Sequence, residues 1–395
     1  MNPIDNPYAP GAGTPPPELA GRDGLREQVR IAAERVRVGR PAKSLLLVGL
    51  RGVGKTVLLD RMRDESEARG FHTLRMEAPE NRSLPALLAP QLRLLLLRLS
   101  RMRQVRALCE RALRGLAGFV KAMKLIYRDI EVNLDFDPEP GLADNGDLEH
   151  DLPELLALVG EAAKGAETGI LLFIDELQYV EETQLAALIT ALHRAAQRQM
   201  PVMMVGAGLA NLPGRMGRAK TYAERLFDIT RIGPLSDADA RDAIEKPANG
   251  LGVSFAADAL DRIIAETRGY PYFLQEWGKR AWDVAAQSPV TLRDVEQASL
   301  EVVAALDEGF FRVRFDRLKP TEKKYLRAMA ELGPGAHRSG EIAALLGRKV
   351  TALGFLRNEL IAKGMIWSPA YGDTEFTVPM FDAFMKRVMP GDDWR

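Results

Sequence analysis

The segment 44–68 constrains the fold more than any other part of the chain. A short apolar run, Ser44–Val48, is followed by a turn with the sequence GLRGVGKT at 49–56, and a helical pattern then continues to about Ala68. Continuous apolar runs of this length are typical of parallel strands covered on both faces. Glycines in such a turn let backbone N–H groups point inward around phosphate oxygens. The segment therefore predicts a strand, a phosphate-binding turn and a helix, in that order.

The turn at 49–56 also assigns chemistry to its side chains. Lys55 is placed to reach the β- and γ-phosphates of a nucleotide, and the Thr56 hydroxyl is placed to ligate Mg²⁺. The following helix adds the positive end of its dipole. A chance glycine turn is the alternative, but the strand before the turn and the helix after it argue against that interpretation. The predicted nucleotide-binding residues here are Gly49, Gly52, Val53, Gly54, Lys55, Thr56 and Val57.

A second apolar run, 170–174, ends in a pair of carboxylates, Asp175 and Glu176. Ligands of α/β sheets bind at the carboxyl ends of the strands, so this pair is predicted to lie near the glycine-rich turn. Asp175 would hold the metal, largely through water, and Glu176 would polarise the water that attacks the γ-phosphate. A solvated acidic pair at a strand end is the alternative interpretation.

Strands alternate with helical patterns from residue 19 to residue 234, which predicts an α/β fold with a parallel sheet and right-handed crossovers. Residues 82–168 interrupt this rhythm and are predicted to be a helical insertion, basic over 93–128, with an acidic loop over 135–151. The predicted strands are 44–48, 71–76, 170–175, 201–205 and 226–232.

The strand pattern stops at Pro234. Residues 235–310 are predicted to be a helical domain, because Ser236-x-x-Asp239 and Thr291-x-x-Asp294 have the spacing of helix N-terminal caps. Residues 311–395 show three short helical patterns followed by a hairpin, which is the order of a winged helix. Residues 1–18, with six prolines, are predicted to be a flexible, extended arm. The predicted helices of the last segment are 321–332, 339–346 and 350–363, and the hairpin strands are 365–369 and 375–378.

Composition excludes several classes of protein. Acidic and basic residues number 54 each, so any nucleic-acid contact must come from a local patch. The chain has one cysteine, Cys109, so an intrachain disulfide is excluded. Together with four scattered histidines, this single cysteine offers no zinc site. The N-terminal residues lack the apolar run of a signal peptide, and no stretch is long and apolar enough to span a membrane. The sequence therefore predicts a cytoplasmic protein.

The two motifs resemble the AAA+ and STAND branches of P-loop ATPases, and more widely origin-recognition-like initiators and related prokaryotic ATPases. The stretch Ala20-Gly21-Arg22-Asp23 looks like the adenine-side box of these families. The resemblance implies an ATPase that uses ATP and Mg²⁺, with a helical lid domain and a C-terminal winged-helix domain. ATP is then expected between core and lid, with its base against Gly21 and Arg22 and the lid.

Other positions carry family expectations that leave alternatives open. Arg225, before the last predicted strand, is where such families place an arginine finger, but a surface arginine is the alternative, and Arg231 is a rival. Pro271, in Gly269-Tyr270-Pro271, resembles the STAND proline that packs by the nucleotide, and it also suits the start of a helix. Tyr272 stands where AAA+ initiators carry a lid arginine. Asn211 is the nearest polar candidate after the fourth strand, where a sensor residue is expected.

The partner is open at the level of sequence. The basic stretch 93–128 and the predicted recognition helix 348–363 suit double-stranded DNA, with Arg348, Lys349, Thr351 and Arg357 as contacts. A solvated charged face and a partner-binding helix, the latter suggested by the leucines at 94–99, are the alternatives. The functional hypotheses are therefore a DNA-associated ATPase, a nucleotide-binding scaffold with little hydrolysis, and a STAND-like switch with slow turnover. Such a switch would recruit a protein partner or form nucleotide-dependent homo-oligomers.

Overall fold

The computed structural model describes residues 1–11, 13–79, 81–132 and 136–394. The chain divides into two compact units. The sheet unit comprises Arg22–Gly49 and Lys55–Ile232, and the helical unit comprises Met1–Gly21, Leu50–Gly54 and Gly233–Arg395. Each unit has a hydrophobic core of its own. In the part of the chain that the structure covers, no helix combines the length and the apolarity needed to cross a membrane.

The sheet unit is built on a parallel sheet with the order β2-β3-β4-β1-β5, five strands within the described residues. The central strands are buried along their whole length, because helices cover both faces of a parallel sheet. The predicted parallel α/β fold is confirmed. The strands are β1 (Ser44–Val48), β2 (His72–Glu77), β3 (Ile170–Asp175), β4 (Val202–Gly208) and β5 (Phe227–Arg231). The helices of this unit are α1 (Asp23–Arg37), α2 (Lys55–Ala68), α3 (Leu84–Leu99), α4 (Arg106–Met123), α5 (Leu148–Gly165), α6 (Glu182–Gln197), α7 (Leu212–Ala219) and α8 (Ala223–Leu226).

The insertion differs from its prediction in two respects. The basic stretch is not one helix, because the helix is interrupted between α3 and α4, where a short 3-10 helix forms at Arg103–Val105. Its leucines do not form a surplus apolar surface: Leu95, Leu96 and Leu99 are buried in the core, while Leu94 is 52% exposed. They are buried because α3 packs against α4, α5 and β2.

The predicted acidic loop over 135–151 is shorter than expected. Asp135 lies outside the described residues, and α5 already begins at Leu148. The fully buried Asp151 explains the early start, because its carboxylate accepts the N–H groups of Asn145 at 3.2 Å and Gly146 at 2.9 Å. These bonds fix the loop at the entrance to the helix.

The helical unit begins with the predicted helical region. Both predicted caps form: the Ser236 hydroxyl accepts the N–H of Asp239 at 3.2 Å, and Thr291 forms a capping box with Asp294. A π-helix, Leu306–Phe311, joins this region to the C-terminal part of the chain. The helices here are α9 (Asp237–Asn249), α10 (Ala257–Thr267), α11 (Pro271–Val284), α12 (Leu292–Ala305) and α13 (Arg312–Asp316).

The C-terminal part has the predicted helices and a small antiparallel sheet of order β6-β8-β7. The order helix, strand, two helices and two strands agrees with the predicted helices followed by a hairpin. Two elements were not predicted: β6 has two residues and exists through its pairing with β8, and α17 follows the hairpin. The elements are α14 (Pro320–Glu331), β6 (His337–Arg338), α15 (Ser339–Leu345), α16 (Val350–Ala362), β7 (Ile366–Trp367), β8 (Asp373–Phe376) and α17 (Phe381–Val388).

The first residues, predicted as an extended arm, are packed onto the helical unit. Tyr8 is buried, and its hydroxyl donates to the carbonyl of Ile244 at 2.6 Å. The Asn6 side chain donates to the carbonyl of Lys279 at 2.9 Å, and a short 3-10 helix forms at Pro3–Asp5. A Cβ at Gly278 would lie 2.7 Å from the Tyr8 ring, so glycine there makes room for the arm.

Candidate functional site

The glycine-rich turn joins β1 to α2 in a conformation that requires its glycines. Gly52 has φ +79° and Gly54 has φ +86°, the left-handed region that other residues adopt only with strain. The N–H of Gly49 donates to the carbonyl of Gly208 at 3.2 Å, which fixes the start of the turn on the neighbouring strand. Lys55 is the first residue of α2, as the motif predicts.

The Lys55 ammonium is folded over the start of the turn. The side chain is 7% exposed, and Nζ donates to the carbonyl of Gly49 at 3.0 Å. A buried ammonium needs hydrogen-bond acceptors, and a backbone carbonyl is a weaker acceptor for a cation than an anionic phosphate oxygen. Lys55 is therefore held at the start of the turn by a backbone carbonyl, and its contact with a phosphate stays a prediction. Thr56, the next residue, is half-buried.

Asp175 lies at the carboxyl end of β3 with 1% of its surface exposed. One carboxylate oxygen accepts the N–H of Glu176 at 2.8 Å, and the other is 3.5 Å from Nη2 of Arg75. Arg75 is itself held by Asp60, with Nε 2.6 Å from a carboxylate oxygen. A carboxylate and a hydroxyl are oxygen donors of the kind that suits Mg²⁺, which keeps most of its waters and takes few protein ligands, and the joint role of Asp175 and Thr56 stays a prediction.

Glu176 follows in a left-handed backbone conformation, φ 54° and ψ 35°. This conformation costs a residue with a side chain on the order of 1 kcal/mol and persists where surrounding contacts enforce it. The contact here is a hydrogen bond from Nε2 of Gln178 to Oε2 of Glu176. The strand end thus presents an oriented buried carboxylate and, next to it, a second carboxylate held by an amide.

Sequence reasoning missed Gln178. Its side chain is 5% exposed, and its Oε1 accepts the N–H of Leu209 at 3.0 Å, just after β4. Asn211, the candidate from the sequence, is exposed at the start of α7, and its side chain makes no capping bond to the described residues. A possible signal for Gln178 is its spacing of three residues from Asp175 in a motif that ends a buried strand. Sequence alone could not show that it reaches the end of β4.

The two candidate finger arginines are both exposed in the sheet unit. Arg225 lies in α8 immediately before β5, and Arg231 ends β5. Exposure is what a residue acting on a neighbouring copy needs, and it is equally what a surface arginine shows. The role of Arg225 stays a prediction.

Two glycines near the predicted base-binding residues are required by close packing. Gly21 has φ +69°, and a Cβ there would lie 2.6 Å from the Asp239 side chain. Gly269 has φ +70°, and a Cβ would lie 2.4 Å from the carbonyl oxygen of Leu235. Pro271 is the first residue of α11, so its structural role as a helix-starting proline is confirmed. The nucleotide contacts of Gly21, Arg22 and Pro271 stay predictions.

Tyr272 contacts the glycine-rich turn. Its N–H donates to the carbonyl of Gly52 at 3.3 Å, and its ring stacks on Phe310, with centroids 5.0 Å apart and planes at 21°. Burial, together with Glu276, raises the pKa of the Tyr272 hydroxyl. The Arg314 guanidinium lies over the other partner of the stack, 4.0 Å from the Phe310 centroid. The position expected to hold a lid arginine therefore holds a tyrosine whose backbone bonds to Gly52 and whose ring packs on Phe310.

The start of α16 presents basic side chains to solvent. Arg348, Lys349 and Thr351 are exposed and line an open hollow of about 650 Å³. Arg357 does not belong with them, contrary to the prediction: its guanidinium donates to Thr374 Oγ1 and to the carbonyl of Asp373, both at 2.9 Å. It is used to tie α16 to β8.

The acidic residue on this helix is also accounted for. Glu359 pairs with Lys319 at 3.0 Å, so its negative charge is balanced by a lysine. In the insertion, Arg114 pairs with Glu139 at 3.0 Å and Arg106 with Glu110 at 3.1 Å. The basic stretch is therefore less free of acid than the sequence indicates, since Glu139 joins Glu110.

Two segments of the chain match known family models. Residues 18–205 match the family model described as AAA ATPase domain, and residues 308–385 match a domain of unknown function (DUF8462). The curated proteins contain no significant match. Among solved structures, the Walker-type ATPase PABY2304 of Pyrococcus abyssi aligns with a TM-score of 0.56 and 14% identity, over 93% of this chain and 96% of that chain. This likeness shows the shared fold.

Two further structures align more weakly. The Orc1 protein of Aeropyrum pernix, solved in complex with DNA, has a TM-score of 0.46 and 15% identity over 94% of both chains. The RuvB Holliday junction branch migration motor of Thermotoga maritima has a TM-score of 0.46 and 16% identity, over 93% of this chain and 95% of that chain. Scores this low carry no argument. The sheet order and the glycine-rich turn agree with the match of residues 18–205 to the AAA ATPase domain model.

Proposed function

We propose that the protein binds ATP with Mg²⁺ at residues 49–57 and hydrolyses it to ADP and phosphate. The observation that supports this most strongly is the placement of Lys55 and of the Asp175–Glu176 pair. They follow β1 and β3, which lie on either side of β4 in one parallel sheet, so both reach the same edge. The carboxyl edge of a parallel sheet is where such folds bind ligands.

Each residue of the site has a role in this proposal. The N–H groups of the turn and the first residues of α2, including Val57, receive the phosphates, and Lys55 exchanges the Gly49 carbonyl for phosphate oxygens. Thr56 and Asp175 would hold Mg²⁺, which when bound would withdraw charge from the phosphate oxygens. Glu176 takes a proton from the attacking water. An arginine finger from Arg225 of a second copy would add positive charge at the same place.

The general test measures binding and turnover separately. Equilibrium dialysis with labelled ATP, with and without Mg²⁺, should show affinity that depends on the metal, and a phosphate-release assay should show turnover. Absence of any ATP affinity in the presence of Mg²⁺ would contradict the whole proposal.

We further propose that the nucleotide state acts as a switch on the C-terminal winged helix. The support is a run of aromatic contacts within the helical unit: Tyr272, which bonds to Gly52, stacks on Phe310, and Phe310 contacts Phe311 at 5.2 Å. Phe311 in turn stacks on Phe384 of α17 at 5.3 Å. A nucleotide that displaces the Gly52 carbonyl acts directly on the first member of this run. Differential contact of ATP and ADP with residues 50–54 would then shift the populations of its conformations.

The partner of the winged helix in this proposal is double-stranded DNA. The start of α16 offers Arg348 and Lys349, both exposed, and Glu359 is neutralised by Lys319. Exposed basic residues at the start of a recognition helix are suited to phosphate contact. The exposed arginines of the insertion, Arg98, Arg101 and Arg103, would add non-specific attraction.

Reversing the charges of Arg348 and Lys349 to glutamate should weaken duplex binding by at least about tenfold and lower the salt slope by about two, since each phosphate contact contributes about 0.9. Fluorescence anisotropy with a labelled duplex over a salt series measures both quantities. Lys279→Glu/Lys386→Glu changes the net charge equally at two other exposed lysines and should leave binding close to wild type. Equal losses in the two double variants would show that Arg348 and Lys349 are not in the interface.

The second candidate function is a STAND-like switch that recruits a protein partner and turns over slowly. It is favoured by Gly269-x-Pro271, by Tyr272 in place of a lid arginine, and by two exposed aromatics, Phe355 at 75% and Tyr371 at 99% exposure. Size-exclusion chromatography with light scattering, run with ATP, ADP and no nucleotide, separates the candidates. An ATP-dependent homo-oligomer without duplex affinity supports the switch, and a nucleotide-independent monomer that binds duplex excludes it.

A further inference from the structure

We propose that Gln178 is a positioning residue for ATP hydrolysis: its amide bridges Glu176 to the backbone that follows β4. This inference rests on the proposed role of Glu176 as the base. The bridge crosses between adjacent strands, because β3 pairs with β4 up to Ile174 and Gly206. A polar sensor residue is expected after β4, but the sequence offers no polar side chain at the end of that strand. Gln178, which follows β3, would supply this polar group instead.

The orientation of the Gln178 amide follows from its partners. A backbone N–H can only donate, so the atom 3.0 Å from the Leu209 nitrogen must be the carbonyl oxygen of the side chain. The NH₂ group is then turned to Oε2 of Glu176. The amide cannot flip without losing both bonds and leaving buried polar groups unpaired. Its position is therefore linked to that of Leu209.

The main chain around Gln178 is held as firmly as its side chain. Arg215 donates from Nη1 to the Gln178 carbonyl at 2.6 Å and from Nη2 to the Val180 carbonyl at 2.7 Å. Gly208 leaves room for the amide, since a Cβ there would lie 2.9 Å from Gln178 Oε1. Residues of β4 and α7 thus contact one glutamine, and the side-chain NH₂ group of that glutamine holds Glu176.

The need for such a holder follows from the backbone at Glu176. Glu176 has a left-handed conformation directly after β3, and its carboxylate keeps one position only if a neighbour restrains it. A base displaced by about 1 Å can lose about a hundredfold in rate. The loss would fall on turnover and not on ATP affinity, because the side chain of Gln178 bonds to Glu176 and Leu209 and not to the described residues of the phosphate-binding turn.

The test uses two substitutions of Gln178 in the full chain. Gln178→Glu keeps an acceptor for the Leu209 N–H but removes the donor to Glu176, and Gln178→Met keeps the length of the side chain but removes both bonds. We expect both to lower kcat by about 10- to 100-fold with the ATP dissociation constant within about twofold of wild type. A role limited to holding the loop after β4 would leave Gln178→Glu active.

The chain offers a matched control in Gln184. This glutamine is 3% exposed, its Oε1 accepts the N–H of Leu84 at 2.7 Å, and its Nε2 donates to Glu181 at 3.1 Å. Gln184→Glu therefore removes the same kind of bond from a buried site away from Asp175. We expect kcat near wild type, and thermal unfolding with ATP titration shows that each variant is folded.

The outcomes separate this inference from the proposed function. If wild type turns over ATP, and either Gln178 variant that binds ATP normally keeps kcat within about twofold, the positioning role is wrong. If Gln178→Glu loses no more than Gln184→Glu, it is wrong as well. A wild type no faster than Glu176→Gln overturns the proposed hydrolysis and this inference with it.

Discussion

Replacing Lys55 with alanine is expected to weaken ATP binding by about 100-fold, which corresponds to about 2.7 kcal/mol. Lys55 is 7% exposed, and its ammonium is bonded to the Gly49 carbonyl at the start of the turn, so its position is fixed before the nucleotide arrives. In the proposed site, removing it takes away the positive side chain that contacts the β- and γ-phosphates. Isothermal titration with ATP and Mg²⁺ gives the two dissociation constants directly.

A second lysine of the same strand–turn segment provides the control. Lys43 precedes β1 at its amino end and is exposed, with Nζ 3.5 Å from Asp228. Lys43→Ala removes the same charge at the amino ends of the strands, opposite to the glycine-rich turn. It should leave the ATP affinity within about twofold of wild type, because exposed ion pairs contribute little. Undiminished ATP affinity in Lys55→Ala would mean that the turn at 49–56 does not hold the phosphates.

The sheet and the two motifs were predictable because the pattern that marks them is local. Each of β1, β3 and β4 is a continuous apolar run that ends at a polar or glycine residue, and the structure buries all of them. The rule that parallel strands share a carboxyl edge then brings Lys55 and Asp175 to one place without any further information. Their chemistry follows from residue type and spacing.

Gln178 and Arg357 show why other parts could not be predicted. Gln178 acts through Leu209, a partner that becomes adjacent only when β3 pairs with β4. Arg357 has the spacing of a DNA-contacting residue, but the acceptors at Asp373 and Thr374 approach it only after β8 folds back on α16. In both cases the decisive contact joins segments whose distance the sequence pattern does not encode.

The prediction of a surplus apolar surface on the leucines of α3 was wrong for a different reason. A run of adjacent leucines carries no helical periodicity, so the number of sides that are covered depends on how many elements surround the helix. Here α4, α5 and β2 surround it, and Leu95, Leu96 and Leu99 are all buried. The leucines became core because α4 and α5 of the insertion, together with β2, cover them.

Replacing Glu176 with glutamine is expected to lower ATP turnover by about 10²- to 10⁴-fold, the range that general bases contribute. The substitution preserves shape, and its side-chain oxygen can still accept the hydrogen bond from Gln178, so the left-handed turn is kept. ATP affinity should therefore stay within about threefold of wild type, because the base acts on the water and not on the bound phosphates. Phosphate release under saturating ATP, together with the titration above, measures the two quantities.

Glu77 is the matched control for this loss, because it ends β2 at the same edge of the sheet, in register with Asp175, and is exposed. Glu77→Gln removes a carboxylate from the neighbouring strand end and should turn over ATP at the wild-type rate. If it slows turnover as much as Glu176→Gln does, the effect comes from the charge of the whole edge and not from one base. If Glu176→Gln matches an active wild type, the proton of the attacking water goes elsewhere and the assignment of Glu176 is wrong.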